Sequence, residues 1–451
     1  MTARGPAAAV TPARAVAYAV LRRVFEQEAW TDRALHGEAR RAGLDARDRA
    51  LATQLAYGSV QRAATLDHLI AALAGRPVER LQPPVLAALR LGAFQLAFLD
   101  GVAAHAAVGE SVELAKLEAP RGAGLVNAVL RRAAREGRAF VEALPESTAA
   151  EAALRHSYPG WIAELWFETL GADAARALMA AGNRPAETAL RANALRTTAE
   201  ALAAELPVST RPADRLPEGL VLEGAFDAFG SALWEQGAFM PQSRAAMAVG
   251  RVLAPQPGER VLDLCAAPGG KTTHLAALME GRGSVVAVER HPGRAQALAR
   301  TAARMGAGTV EVRTADAAEP QEPGAYDRVL VDPPCTDLGT LAARPDARWR
   351  KPPSAPAELA AVQGAILRSG AEAVRPGGTL VYSTCTISPA ENEGVVDAFL
   401  ARREDFTAED LSTSDWSLWQ HGRRPMYLQT LPHRDRTDGF FIARLRRSEA
   451  A

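Results

Sequence analysis

Arg260-Val261-Leu262-Asp263-Leu264-Cys265-Ala266-Ala267-Pro268-Gly269-Gly270-Lys271-Thr272 runs from a short, mostly apolar stretch into a loop of small residues. A run this short, ended by Pro and two Gly, reads as a buried strand, and the loop after it reads as a turn into a helix. The pattern repeats downstream. Strands are expected over 260–264, 284–288, 310–313, 326–331 and 378–383, helices over 272–279, 293–305 and 356–373, and a closing strand over 439–445. Apolar strands alternating with helices imply a parallel sheet covered on both faces. The fold class is α/β, and this part is expected to be Rossmann-like and to span 241–448.

Upstream the pattern differs. Over 1–145 apolar residues recur at three- and four-residue spacing, as in Ala15-Val16-Ala17-Tyr18-Ala19-Val20-Leu21 and Leu51-Ala52-Thr53-Gln54-Leu55-Ala56-Tyr57. Breaks fall at Gly43, Gly75-Arg76-Pro77, Pro83-Pro84, Gly101 and Pro120-Arg121-Gly122. An all-α bundle is expected there. Residues 150–240 read as a small α/β connector, with helices over 159–170, 173–181 and 199–206 and strands over 188–193 and 220–222. A length of 451 residues accommodates such a two- or three-domain division.

The chain carries 52 Lys and Arg against 52 Asp and Glu, which excludes a uniformly basic nucleic-acid coat but not local patches. Basic pairs stand at Arg22-Arg23, Arg40-Arg41 and Arg131-Arg132, and on charge alone solvated helix faces account for such pairs more readily than RNA contacts do. The three cysteines, Cys265, Cys335 and Cys385, lack CxxC spacing and a nearby His, so neither a zinc site nor a disulfide framework is indicated. The opening residues lack the apolar core of a secretion signal and no apolar run is long enough to span a bilayer, so a cytoplasmic protein is expected.

In open parallel sheets ligands bind beyond the carboxyl ends of the strands. The Cys265–Lys271 loop stands at the first such end, with small residues for close approach and a helix N-terminus to receive an anion. Gly270-Lys271-Thr272 resembles the end of a nucleotide-triphosphate loop, but Cys265 occupies the place of its first glycine. Glu289 ends the second strand, placed to accept from ribose hydroxyls; Asp316 follows the third, near an adenine edge; Asp332 follows the fourth. Any one of these acids could be a helix cap or turn residue; three in succession suit an adenosine ligand. The loop lacks the G-x-G-x-x-G spacing of dinucleotide sites, so S-adenosylmethionine fits better than NAD.

Asp332-Pro333-Pro334-Cys335 and Ser383-Thr384-Cys385-Thr386 come after strands expected to be neighbours, which puts two thiols at one cleft. A thiolate adding to carbon 6 of cytosine makes carbon 5 nucleophilic enough to take a methyl from a sulfonium. A lowered thiol pKa would help, with Lys271 as the cationic neighbour. Asp332 could bond the N3/N4 edge of the base. From these residues alone either thiol could be the nucleophile.

These motifs, with Arg344-Pro345-Asp346-Ala347-Arg348-Trp349, Glu391-Asn392 and Asp438-Gly439-Phe440-Phe441, resemble the NOL1/NOP2/Sun family, and within it the RsmB/Sun (Fmu) group of 16S rRNA cytosine-C5 methyltransferases. The resemblance implies that Cys265, Ala266, Ala267, Pro268, Gly269, Gly270, Lys271, Glu289, Asp316 and Asp332 contact S-adenosylmethionine. It implies Cys385 as nucleophile and Cys335 as the thiol assisting product release. His105-Ala106-Ala107-Val108-Gly109-Glu110-Ser111-Val112-Glu113 and Leu125-Val126-Asn127-Ala128-Val129-Leu130-Arg131 resemble the NusB-like RNA-binding domain of that group, and Asn183-Arg184-Pro185 and Arg191-Ala192-Asn193 its connector.

Some positions depart from the group's pattern. Glu289 stands where Asp is common, Pro334 where Ala is, and Thr336 where Ser is. Asp-Pro-Pro also resembles the motif of amino-group methyltransferases, but Cys335 comes next instead of an aromatic. The expected partner is RNA, 16S rRNA first, with no membrane, no metal and a monomeric state. Two alternatives are the same chemistry on tRNA or 23S rRNA, and a non-enzymatic RNA-binding assembly factor. Trp349 and Phe440 could stack on bases, though such residues are more often core.

Overall fold

A computed structural model describes residues 10–449. The expectation drawn from the opening residues, that no secretion signal is present, lies outside the described part. No helix among the described residues is long and apolar enough to cross a membrane.

The chain begins with helices α1 (Pro12–Gln27), α2 (Thr31–Arg41), α3 (Ala46–Gln61), α4 (Ala63–Ala74), α5 (Pro83–Phe98), α6 (Ala104–Glu118), α7 (Ala123–Glu142), α8 (Ala149–His156), α9 (Gly160–Leu170) and α10 (Ala172–Ala181). Pro83 and Pro84 do not merely break the pattern: they open α5, where a missing N–H costs nothing. Gly75 ends α4 in the left-handed region, at φ 64°. Then come β1 (Ala189–Ala192), α11 (Ala199–Glu205), β2 (Thr210–Ala213), β3 (Leu216–Leu222), α12 (Ala232–Glu235), β4 (Phe239–Pro241) and α13 (Arg244–Leu253). The last part holds β5 (Arg260–Leu264), α14 (Gly270–Leu278), β6 (Ser284–Val288), α15 (Pro292–Met305), β7 (Val310–Arg313), β8 (Tyr326–Val331), α16 (Ala347–Arg350), α17 (Ala355–Ala373), β9 (Val374–Thr384), α18 (Glu393–Leu400), β10 (Phe406–Ala408), β11 (Leu428–Gln429), α19 (Pro432–Asp435) and β12 (Phe441–Arg447).

Two compact units result. Residues up to Pro185 form the first together with Leu341–Arg350; Ala186–Thr340 and the chain from Lys351 form the second. The segment expected as one connector is therefore divided, α8 to α10 going with the helices. Polar ties explain it: Ser157, capping α8, accepts from the Ala64 N–H at 2.9 Å, and Thr65 donates to the Leu154 carbonyl at 2.7 Å. Strands β2 and β4 were not expected from the sequence. Both are short edge strands, and Pro212 in β2 is tolerated only at an edge.

The first unit also takes in a piece of chain that lies in sequence between β8 and β9. Arg348, fully buried, donates to the carbonyls of Gln61, Ser157 and Gly182 at 3.0–3.2 Å and to Asn183 Oδ1 at 2.8 Å, with its guanidinium 4.0 Å from the Tyr158 ring centre. Trp349 donates to the Val60 carbonyl and packs on the helical core. It is thus half-buried, packed against the core of the helices.

The second unit has two sheets. The smaller is antiparallel, in the order β2-β3-β1-β4. The larger runs β7-β6-β5-β8-β9-β12-β10, with β11 beside β12; β5 to β9 are parallel, and β12 lies antiparallel to β9. Strands β5 to β8 have the bounds expected from sequence. The chain builds outward from β5 through β6 to β7, then returns to place β8 on the other side of β5. The carboxyl ends of β5 and β8 thus flank the switch point where a ligand crevice opens.

Candidate active site

The Cys265–Lys271 loop leaves β5 at that switch point. Cys265 holds φ 64° and Gly269 φ 103°, both left-handed. A Cβ on Gly269 would stand 2.6 Å from Leu298 Cδ1, so close packing of α14 on α15 needs glycine there. A Cβ on Gly270 would meet nothing within 4 Å, which leaves open space at the start of α14, where free N–H groups and the helix dipole favour an anion.

The three acids stand at neighbouring strand ends. Glu289, after β6, is buried, accepts from the His291 N–H at 2.9 Å and lies 3.6 Å from Arg294. Asp316, after β7, is more exposed, accepts from the Ala318 N–H and faces Arg290 at 3.6 Å. Asp332, after β8, accepts from Lys271 Nζ at 2.7 Å and from Ser383 Oγ at 3.1 Å. Lys271 also stands 5.0 Å from the ring centre of Phe440, which is buried and unavailable for stacking on RNA.

The two thiols meet. Cys335 Sγ and Cys385 Sγ are 3.3 Å apart, and Cys385 Sγ lies 3.1 Å from Asp337 Oδ1. The thiols, expected at one cleft, form with the Asp337 carboxylate a cluster whose donor atoms lie within 4.8 Å of one another; Asp337 was not expected there. The expected lowering of the nucleophile's pKa is not found. The hydrogen bond with Cys335 and then burial push the Cys385 thiol well above its ordinary value. Lys271 does not reverse this, because its partner is Asp332. Burial lowers the Lys271 pKa, but the charge and hydrogen bond of Asp332, with the neighbouring Cys385 and Asp263, together outweigh it and the net shift is upward. Cys265 is half-buried at the start of its loop, and burial pushes its thiol up to about 12.

Four further residues complete the site. Asp263, inside β5, accepts from Thr272 Oγ1 at 2.7 Å, while its Oδ1 has no hydrogen-bond partner; burial pushes the carboxyl up to about 7. Arg191, on β1 and fully buried, donates to the Gly270 carbonyl and to Thr273 Oγ1, placing a cation beneath the first turn of α14. Asp337 faces both thiols, and Glu391 lies behind them. Charged residues inside apolar strands were the available signal for Asp263 and Arg191.

Adenosine hydroxyls can meet Glu289, the base edge Asp316, and an amino-acid tail the open N-terminus of α14 with Asp263 and Asp332 near it. This donor set fits S-adenosylmethionine, and the loop from Cys265 to Lys271 could hold it.

Comparison with known proteins agrees. The family profile described as 16S rRNA methyltransferase RsmB/F matches residues 250–446, that of the NusB family residues 11–135, and an RsmF/B-like ferredoxin-like domain residues 158–228. The chain is 41% identical over 439 residues to the ribosomal RNA small subunit methyltransferase B of Thermus thermophilus, covering 96% of this chain and 97% of that one. It is 38% identical over 447 residues to a probable ribosomal RNA small subunit methyltransferase B of Synechocystis, covering 97% and 99%. The crystal structure of PH0851 superposes with a TM-score of 0.83 at 26% identity, covering 97% of this chain and 99% of that one. The chain therefore belongs to the RsmB/F methyltransferase family and is an S-adenosylmethionine-dependent RNA methyltransferase.

Proposed function

We propose that this protein methylates carbon 5 of a cytosine in 16S rRNA through a covalent bond from Cys385 to carbon 6. The observation that carries the reading is the pair of thiols 3.3 Å apart, beside the Lys271–Asp332 pair. When bound, S-adenosylmethionine supplies a sulfonium methyl as electrophile. Cys265 to Lys271, Glu289, Asp316 and Asp332 hold it.

Cys385 gives up its proton to Asp337, whose Oδ1 lies 3.1 Å from the thiol, and its Sγ adds to carbon 6, so that the carbon 5–carbon 6 electron pair shifts toward carbon 5. Asp332, oriented by Lys271 and Ser383, bonds the N3/N4 edge and supports addition. After carbon 5 is methylated a base takes its proton, the electron pair left behind re-forms the carbon 5–carbon 6 double bond, and the carbon–sulfur bond breaks with its pair returning to Cys385 Sγ. Cys335, within reach of Cys385, is the thiol assigned to this release. The raised Cys385 pKa means that the free protein stores a thiol, and ionisation belongs to the substrate complex.

The 16S target is supported by the relatives' names and by the NusB-family match over 11–135. In this reading residues 1–145 bind RNA, 150–240 connect, and 241–448 carry the chemistry, in a monomeric, cytoplasmic protein without a metal. In the free protein Arg22 pairs with Glu118, Arg23 and Arg41 share Glu38, and Arg132 pairs with Glu136. An unstacked cytosine in a single-stranded segment is the easiest substrate for such a site.

The test is methyl transfer from labelled S-adenosylmethionine to unmodified 16S rRNA. Cys385→Ala should be inactive and form no RNA adduct, and Cys335→Ala should accumulate a covalent protein–RNA adduct. Full activity in Cys385→Ala would move the nucleophile to Cys335. Labelling of tRNA but not 16S rRNA would sink the substrate assignment and leave the chemistry.

A further inference from the structure

The two cysteine loops leave adjacent strands, but strand pairing ends before either thiol. Val331 of β8 pairs with Tyr382 of β9, and Cys335 and Cys385 lie beyond that pairing. Something else must set the distance between the thiols. Each cysteine is followed by a threonine, and both threonines reach the same carboxylate. Glu391, fully buried, accepts from the Thr336 N–H at 2.8 Å and from Thr336 Oγ1, while Thr386 Oγ1 reaches it at 3.5 Å. The two hydroxyls also bond each other at 2.6 Å.

The carboxylate is itself fixed. Gln363 Nε2 donates to Glu391 Oε1 at 3.1 Å and to the Pro334 carbonyl at 2.9 Å, and Tyr382 Oη donates to the Glu391 carbonyl at 2.6 Å. Asn392 holds the second loop separately, donating to the Thr386 carbonyl at 3.1 Å. One backbone bond, from Gly339 N–H to the Cys385 carbonyl, also joins the loops and survives any change at Glu391.

We propose that Glu391 is a positioning residue that sets the spacing of the two thiols by tying Thr336 to Thr386, and thereby lets Cys335 act on the adduct formed at Cys385. The second half rests on the covalent reading above; the first does not. A buried acceptor that gathers donors from two loops holds them in one relative position, because leaving any of those donors unpaired is costly. Removing the carboxylate lets the loops part while Cys385 keeps its own anchor through Asn392. Addition to carbon 6 then continues and release slows.

The experiment uses the full-length protein with Glu391→Ala and Glu391→Gln, and two readouts. The first is the affinity of phenylarsine oxide, which bridges two thiols with loss of one water and needs neither RNA nor cofactor. Loss of binding in each of Cys335→Ala and Cys385→Ala identifies the pair. Glu391→Ala should bind at least tenfold more weakly, and Glu391→Gln, which keeps an acceptor for the Thr336 N–H, should bind like wild type. The second readout is the fraction of enzyme trapped as RNA adduct. It should rise in Glu391→Ala, and adding that change to Cys335→Ala should raise it no further.

Unchanged arsenical affinity in a Glu391→Ala protein with wild-type circular dichroism overturns the proposal. If that variant does not fold, Thr336→Val removes only the hydroxyl tie and should weaken arsenical binding several-fold; no change there overturns it equally. Weakened arsenical binding with no RNA adduct in any variant leaves the spacing role standing and removes the covalent reading instead.

Discussion

Cys335 Sγ and Cys385 Sγ stand 3.3 Å apart although fifty residues separate them in sequence. The contact has a chemical consequence for Cys385. Its hydrogen bond with Cys335, helped by burial, keeps it a thiol well above the ordinary pKa. Since only the thiolate reacts, iodoacetamide should modify Cys385 slowly at pH 7 and faster as pH rises beyond 9. Cys335→Ala removes the largest cause, so the Cys385 profile should move to lower pH. Peptide mass spectrometry of alkylated protein reads this directly, and an unmoved profile would assign the effect to burial and Asp337.

Asp263 makes stability depend on pH. Its folded pKa, about 7, lies above the ordinary Asp value of 3.8. The folded state therefore holds its proton more tightly, and the stability this contributes is full below about pH 4 and lost as pH rises through 7. Asp263→Asn cannot ionise and should lose less between pH 5 and 8. The wild-type-minus-variant difference should change by at most about 3 kcal/mol, from roughly 1.4 kcal/mol per pH unit. Thermal unfolding of the ligand-free proteins at both pH values measures it; parallel curves would mean that Asp263 is ionised in the fold.

Gly269→Ala should damage the cofactor loop selectively. The residue sits at φ 103° and its Cβ would lie 2.6 Å from Leu298 Cδ1. Strain of about 1–3 kcal/mol is expected, relieved by shifting the start of α14. Calorimetric titration with S-adenosylmethionine should show about tenfold or greater loss of affinity, with RNA binding unchanged. Wild-type affinity would show that the loop is not a contact.

Arg348→Met should destabilise the first unit. It leaves three buried carbonyls and Asn183 without their donor, at a cost of about 3–5 kcal/mol. Arg348→Lys should recover little, because an ammonium cannot reproduce the planar fork. Urea unfolding followed by far-ultraviolet circular dichroism measures the loss, and one under about 1 kcal/mol would refute the role.

Much of the catalytic fold was legible in the sequence. The bounds of β5 to β8 follow from apolar runs ended by Gly, Pro and polar residues, because burial on both faces leaves a strand few alternatives. The places of Glu289, Asp316 and Asp332 just beyond β6, β7 and β8 were legible for the same reason, since the strand bounds fix which residues follow them. The small strands β2 and β4 were not legible, since three or four residues at a sheet edge carry no periodicity.

Sequence by itself determined the fold class, the glycine-rich loop after β5 and two thiols destined for one side of a sheet. Tertiary structure decided how those parts are tuned. Whether Cys385 is a thiol or a thiolate depends on a neighbour fifty residues away. Whether Asp263 is charged depends on enclosure. The work of Glu391 depends on two threonines that meet only when β8 and β9 lie side by side, and that of Arg348 on carbonyls up to 287 residues distant. Local patterning fixes backbone conformation over a few residues. Electrostatics and hydrogen-bond satisfaction in a buried site are fixed by groups that only the folded chain brings together.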